Sequence, residues 1–335
     1  MRVTVWLVLW GIAISSLPAL AAERLEESKF YLGTTVRAEI CYGPGEKPKA
    51  EQAMASVWQK FAAIHEHMNA FDPASDVAAV NAADGSSVAV HDDVYALLAR
   101  SKEYARITGG VFDVTVGPLM ALWQAAGRRD ALPSAEEILE AKKMVDASRI
   151  ELLPGGRVRL PPGMKIDLGG DASGFAADEA ARVLRQAGFN DFLVDAGGEI
   201  YAAGQACAGR PWHVGVKDPV MAHHVAGVVV IRDAAVSTSG SYEKYVTIKG
   251  GRWPHIVNPL TGYPERGVVS ATVMAPVAAD ADALSTALCV LGPGPGLRLI
   301  DSLGQGYAGM VITEGVDGRF ETHATAGYVA FRMDQ

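Results

Sequence analysis

Ile166-Asp167-Leu168-Gly169-Gly170-Asp171-Ala172-Ser173-Gly174-Phe175 is the pivot of the chain. A strand end over 165–168 runs into a glycine turn, and a helix follows over 174–187. Glycines let a ligand approach the main chain, and unpaired N–H groups at a helix start suit a phosphate. The spacing is neither G-x-G-x-x-G nor a run closing on G-K-[ST], which excludes the dinucleotide fingerprint and the P-loop. By itself the segment reads equally well as an ordinary strand-to-helix turn.

On either side of this pivot the pattern changes. Upstream, a strand over 35–41 precedes Met54, Val57, Trp58, Phe61, Ile64, Met68 and Phe71, which recur at helical spacing. His65 and His67 are two apart, so they point in different directions and read as surface residues of that helix. A second helix covers 93–108 and ends at Gly109-Gly110. A short third helix carries Leu119, Leu122 and Trp123. Ser134 and Glu137 form a capping box for a fourth. A hairpin follows over 149–153 and 157–160, turning at Gly155-Gly156. Downstream, short strands fall at 192–194, 200–203, 213–216, 225–231, 245–248, 269–274 and 307–313, with helices over 281–291 and 296–303. Helices cluster early and strands late, which predicts an α+β fold with a largely antiparallel sheet. The best place for a lobe boundary is 128–134.

Arg2, the apolar stretch 3–17 and Ala19-Leu20-Ala21 form a cleavable secretion signal over 1–22. The stretch is shorter than the roughly 20 residues a spanning helix needs. The mature chain, 23–335, is expected to be soluble and periplasmic. The formal net charge is −8, with no basic cluster, which argues against nucleic-acid binding. Of the three cysteines, Cys289 lies in an apolar run and reads as a small buried hydrophobe. Cys41 and Cys207 can bridge in an oxidising compartment, although nothing in the sequence demands it.

Four more segments carry chemistry. His255-Ile256-Val257-Asn258-Pro259-Leu260-Thr261-Gly262-Tyr263-Pro264 sets a histidine at a strand end beside a rigid loop, a placement suited to acid–base work. In Ala279-Asp280-Ala281-Asp282-Ala283-Leu284-Ser285-Thr286, Asp282 and Thr286 are four apart on one helix face. Their oxygens are hard ligands, suited to Mg²⁺ or Ca²⁺. Alone, the pair reads more readily as an N-cap aspartate and a buried threonine. Ser241-Tyr242-Glu243-Lys244 matches the S-x-x-K of penicillin-recognising serine enzymes, but S-D-N and K-T-G are missing and the run 235–244 lies between strands. Thr108-Gly109-Gly110-Val111-Phe112-Asp113-Val114-Thr115-Val116-Gly117-Pro118-Leu119 is readable as architecture alone.

Taken in order, these segments resemble the ApbE-type FAD:protein FMN transferase family, from Leu32-Gly33-Thr34-Thr35 to the helix ending at Leu291. The resemblance implies a two-lobed fold with an FAD cleft between the lobes and Mg²⁺ at the pyrophosphate. It implies transfer of FMN to a Thr or Ser of a target protein, with release of AMP. The implied targets are flavin-accepting subunits of extracytoplasmic electron-transfer complexes. An FAD pyrophosphatase giving FMN and AMP is the second reading, and a non-catalytic FAD-binding maturation protein the third. Carried over by position, Asp282 and Thr286 would hold the metal, with the backbone carbonyls of Gly170 and Ser285. Leu32 and Phe71 match ring-contacting positions, while Phe112, Asp113 and Val114 match the adenosine contacts. Asp167 and Ser173 match other FAD contacts, and His255 matches the histidine that activates the acceptor hydroxyl. Asp282 and His255 are thus the expected catalytic pair. The chain departs from the family pattern at Ser173, where Lys is common, at Ser241, where Asp is usual, and at Asn258-Pro259-Leu260-Thr261-Gly262, where the family reads Asp-Pro-Arg-Thr-Gly.

Overall fold

The computed structural model describes residues 22–331, except 208, 220–223, 242–243 and 316. The expected secretion signal therefore lies outside the described residues, apart from Ala22.

The chain opens with a hairpin of β1 (Glu23–Tyr31) and β2 (Thr34–Tyr42). It turns through Leu32 and Gly33, both at positive φ (52° and 76°). The strand expected at 35–41 is β2. Its partner β1 carries a charged, non-alternating sequence that gives no strand signal, and it survives as an exposed edge. Next come α1 (Lys47–Met68), α2 (Asp76–Ala82), β3 (Ser87–Ala89), α3 (Asp92–Ile107), α4 (Gly117–Arg129) and α5 (Ala135–Lys142). The capping box at Ser134 and Glu137 is present at the start of α5. In the small hairpin β4 (Glu151–Leu153) and β5 (Arg157–Arg159), the first strand begins after a 3-10 turn at Ala147–Arg149.

The pivot enters α6 (Ala172–Gln186). Residues 165–168 form no named strand; only Lys165 bridges to Val116, in parallel. Strands β6 (Phe192–Ala196), β7 (Ile200–Ala203), β8 (Trp212–Lys217), β9 (Val225–Ile231) and β10 (Ala234–Gly240) follow. Then come β11 (Tyr245–Ile248), β12 (Gly251–Pro254), β13 (Val268–Ala275), α7 (Ala278–Leu291), α8 (Pro293–Ser302), β14 (Ala308–Glu314), β15 (Phe320–Ala324) and α9 (Ala326–Phe331).

Eight strands form one sheet in the order β1-β2-β6-β7-β10-β13-β14-β15, and every neighbouring pair is antiparallel. The α+β expectation is met. The stretch expected to lie between strands is corrected in its first half, since 234–240 is the central strand β10. Its small side chains give no apolar alternation. Ser237 is nevertheless fully buried there, because its hydroxyl finds that of Ser285 at 3.3 Å.

The largest apolar cluster lies between this sheet and α1, α3, α6 and α7. A second cluster includes Trp212, Val214, Val216, Val229 and Ile231 of the β8–β9 hairpin. A third, built on Leu119, Trp123, Ala126, Ile138, Ile248 and Val257, joins α4 and α5 to the β11–β12 hairpin. Residues 130–134 connect those two helices, and 128–129 are the last turn of α4. Cys41 and Cys207 are disulfide-bonded across 166 residues, and Cys289 is free and buried. His67 is not a bland surface residue: its ring binds Asp93 at 2.8 Å and stacks on His91 with centroids 3.6 Å apart.

Candidate active site

Helix α7 begins at Ala278, three residues before the periodicity predicts. Its first N–H groups are capped from a distant element: the Asp178 carboxylate, on α6, accepts from Ala278 N at 2.7 Å and Ala279 N at 3.0 Å. The two helices approach closely at Gly174, where an added Cβ would lie 2.4 Å from the Ala278 carbonyl oxygen. There the Gly174 N–H donates to Asp282 Oδ2 at 2.9 Å. The pivot and the Asp282 segment are thus one construction.

Asp280 and Asp282 have different surroundings. Asp280 accepts from Arg100 Nη2 at 2.9 Å, from the Tyr104 hydroxyl at 2.7 Å and from the Tyr307 hydroxyl at 2.6 Å. It is a structural anchor. Asp282 is 5% exposed, and the charges that bear on it, Glu199, Asp171 and Asp178, are all negative. Burial first, and then Glu199, push its carboxyl well above the ordinary range, against the pull of the Gly174 N–H. A buried carboxylate with acidic neighbours needs either a proton or a cation. Asp171, fully buried, is itself pushed up to about 7 by desolvation; it accepts from the Ser101 hydroxyl at 2.5 Å, while its Oδ1 has no partner.

A chain of hydroxyls lies beside Asp282. Ser285 Oγ donates to the Asp282 carbonyl at 2.9 Å. Its oxygen can therefore only accept from Ser239 Oγ, 2.7 Å away, and Ser239 in turn from Thr286 Oγ1 at 3.1 Å. In that order Thr286 gives its proton away and turns oxygen lone pairs to the space in front. A Cβ on Gly170 would fill that space, lying 3.7 Å from Thr286 Oγ1 and 3.0 Å from Phe112 Cε2. The donor set is all oxygen, cradled and acidic, and it fits a small hard cation.

Thr286 and Gly170 open into a cavity of about 460 Å³, also lined by Phe71, Phe112, Asp113, Asp167, Trp123, Lys244, Tyr245 and His255. Seven of the expected residues therefore meet there: Phe71, Phe112, Asp113, Asp167, Gly170, His255 and Thr286. Phe71 is 90% exposed and presents its ring at the cavity. Asp113 spends both oxygens on the fold, accepting from Thr115 N and Oγ1 and from Ala147 N. Asp167 holds the glycine turn by accepting from Gly169 N at 2.9 Å. The imidazole Nδ1 of half-buried His255 lies 3.1 Å from the Lys244 carbonyl oxygen. A carbonyl only accepts, so Nδ1 is the nitrogen that carries a proton there, and in the neutral form of the ring the basic lone pair belongs to Nε2.

The other expected residues sit around the cavity. Asp282 and Ser285 are buried behind Thr286. Val114 is in the core, and its carbonyl accepts from Asp167 N at 2.7 Å. Ser173 is half-buried in the first turn of α6, beside Gly174. Leu32 does not line the cavity; it sits at the β1–β2 turn, where its N–H donates to His65 Nδ1 at 3.3 Å. Glu199, Trp123 and Tyr245 are site residues that sequence reading did not single out. Trp123 and Tyr245 read as ordinary apolar positions of a helix and a strand. In the S-x-x-K run, Ser241 Oγ is taken by the Val268 carbonyl at 3.0 Å, and Tyr242 and Glu243 lie outside the described residues.

Comparison with known proteins agrees with this geometry. Residues 32–311 match the model of the ApbE family. The FAD:protein FMN transferase of Treponema pallidum (strain Nichols) is 35% identical over 290 residues, covering 79% of this chain and 78% of the relative. That of Klebsiella pneumoniae (strain 342) is 32% identical over 279 residues, covering 81% and 79%. Among solved structures, the ApbE protein of Thermotoga maritima superposes with a TM-score of 0.81 at 33% identity, covering 93% of this chain and 100% of its own. The apo flavinyl transferase ApbE of Pseudomonas stutzeri gives 0.82 at 28% identity, covering 94% and 98%. The match spans nearly all of the described chain and both halves of the site, and the chain is a transferase that belongs to the ApbE family.

Proposed function

We propose that the protein is an FAD:protein FMN transferase that takes FAD and Mg²⁺ and attaches FMN to a Thr or Ser of a target flavoprotein, releasing AMP. The observation that carries this reading is the meeting, in one cavity, of the Thr286–Gly170 oxygen cradle and the His255 imidazole. Asp282, Thr286 and the carbonyls of Gly170 and Ser285 would hold the metal, and its chemistry there is to offset charge on the pyrophosphate oxygens.

The chain's own residues have definable tasks. Phe71 and Phe112 offer apolar faces to the ring systems of the dinucleotide. Asp282, held by the Gly174 N–H, supplies a carboxylate that is well placed only when a cation neutralises it. His255 Nε2 accepts the proton of the incoming hydroxyl as its oxygen attacks the FMN phosphorus. The phosphorus–oxygen bond to AMP breaks as the new phosphoester forms.

The N-terminal 1–22 signal and the Cys41–Cys207 bridge support an exported, periplasmic enzyme. In that setting its partner would be a flavin-accepting subunit of an extracytoplasmic electron-transfer complex. His255→Ala tests the base: transfer should slow by roughly 10²–10⁴-fold while FAD affinity changes little. Equal losses in the two would reduce His255 to a binding residue. Free FMN and AMP made at full rate without any adduct would favour the pyrophosphatase.

A further inference from the structure

The β11–β12 hairpin is a two-stranded sheet of its own, joined through Lys249 and Gly250 at positive φ. Its ladder pairs Tyr245 with Pro254, Val246 with Trp253, Thr247 with Arg252 and Ile248 with Gly251. His255 N donates to the Lys244 carbonyl at 3.1 Å, so the pair beyond the ladder is hydrogen-bonded. Antiparallel pairs alternate, so Val246 and Ile248 bond inward and Tyr245 and Thr247 turn their N–H and C=O groups outward. Among the described residues, nothing accepts or donates to those outward groups. The opposite edge is closed: Pro254 has no N–H, and the Arg252 carbonyl accepts from Arg266 Nη2 at 3.1 Å.

We infer that the outer edge of β11 receives an extended, acidic segment of the target polypeptide as a third strand, which carries the acceptor hydroxyl to the cavity. This rests on the transferase reading and names how its protein substrate binds. Two observations select that occupant. The edge is continuous with the reaction cavity, which Lys244, Tyr245 and Val246 all line. The stretch 244–264 contains no Asp or Glu and carries Lys244, Lys249 and Arg252, in a chain of net charge −8. Arg252 lies over the Tyr245 ring at 4.7 Å and holds a cation on the exposed outer face.

The geometry is compatible with delivery. A third strand lies about 4.8 Å from β11 and roughly 10 Å from β12. Side-chain alternation puts Lys244, Val246 and His255 on one face of the hairpin, so alternate residues of the added strand face the same way. Backbone bonds to the edge give affinity without a fixed sequence, and the basic residues select the acidic one.

The test uses the full mature chain with FAD, Mg²⁺ and a flavin-carrying target domain that the parent protein modifies. Thr247→Pro deletes one outward N–H and no bond of the hairpin ladder. It should raise KM for the target domain about tenfold, with kcat and FAD affinity unchanged. Thr247→Val keeps the N–H and should restore the parent KM. Should the proline variant fail to fold, hydrogen exchange on the parent decides: the Tyr245 and Thr247 amides become protected when the target domain is added. An unchanged KM in the folded proline variant, or unprotected amides in the parent complex, overturns the strand addition. A parent protein that binds FAD yet never labels the domain sinks the transferase reading and this inference with it.

Discussion

Gly174→Ala probes the joint on which the site is built. The new Cβ would lie 2.4 Å from the Ala278 carbonyl oxygen, 2.7 Å from its carbon and 2.8 Å from Ala279 Cα. All three are backbone atoms, so no side chain can swing away. Ordinary contact needs roughly 1 Å more, which α6 and α7 can gain only by separating. Overpacking of this kind costs about 1–3 kcal/mol. Separation also lengthens the 2.9 Å bond from Gly174 N to Asp282, worth about 1.5–3 kcal/mol when the acceptor is charged. The better helix propensity of alanine returns up to about 1 kcal/mol. The net loss is about 1.5–5 kcal/mol, or a fall in Tm of roughly 2–8 °C for a chain of this size. Circular dichroism melts in EDTA and in excess Mg²⁺ measure it. The variant should melt lower in both, and the rise produced by Mg²⁺ should shrink because Asp282 has lost its anchor. A Tm within about 1 °C of the parent in EDTA, on the same scale, would refute the claim that the joint is fully packed.

Asp282→Asn should leave the EDTA melt unchanged or raised, since it removes a buried charge among acidic neighbours, and should abolish the Mg²⁺-dependent rise. That rise in the parent should be about 2.7 kcal/mol at a hundredfold excess over Kd, and its persistence in the variant would reassign the metal ligand. Replacing Cys41 and Cys207 by serine reopens a 166-residue loop and should destabilise the chain by up to about 5 kcal/mol, read from urea midpoints; a shift near zero would show that the bridge is not formed in solution. Burial pushes Asp178 up to about 6 from its ordinary 3.8, against its bonds to Ala278 and Ala279 and the nearby Arg100. A raised carboxyl favours the folded state below pH 3.8 and loses that advantage as pH climbs to about 6. Asp178→Asn should therefore flatten the stability profile between those values, a change of about 3 kcal/mol. An unaltered profile would place the Asp178 titration elsewhere.

Much of the fold is legible in apolar spacing. The faces of α1, α3 and α6 and the strands β6, β7 and β13 announce themselves, because each buries a regular set of side chains. What escapes does so for physical reasons. Strand β1, Glu23–Tyr31, is an edge exposed to water and needs no alternation. Strand β10 is central yet built, apart from Val236, of Ala, Ser, Thr and Gly, and its hydroxyls are satisfied by Ser285, Thr286 and Thr272 from other elements. The true start of α7 depends on Asp178, 100 residues earlier. The site was legible as separate segments that only the fold brings together. The spacing to Thr286 and the resemblance single out Asp282 over Asp280, but the contrast in their surroundings is not written in the sequence. Asp280 is tied to Arg100, Tyr104 and Tyr307, whereas Asp282 is held by the Gly174 N–H and the charges that bear on it are all negative. Nor could the sequence separate Asp113, committed to the main chain, from a ligand contact.

The most direct measurement is to incubate the mature protein with FAD, Mg²⁺ and a flavin-carrying target domain and weigh the target by mass spectrometry. The account predicts an FMN-mass adduct on a Thr or Ser, stoichiometric release of AMP, and loss of both when EDTA replaces Mg²⁺. FAD that is bound but unchanged in the presence of Mg²⁺, with no adduct on any target, would contradict it.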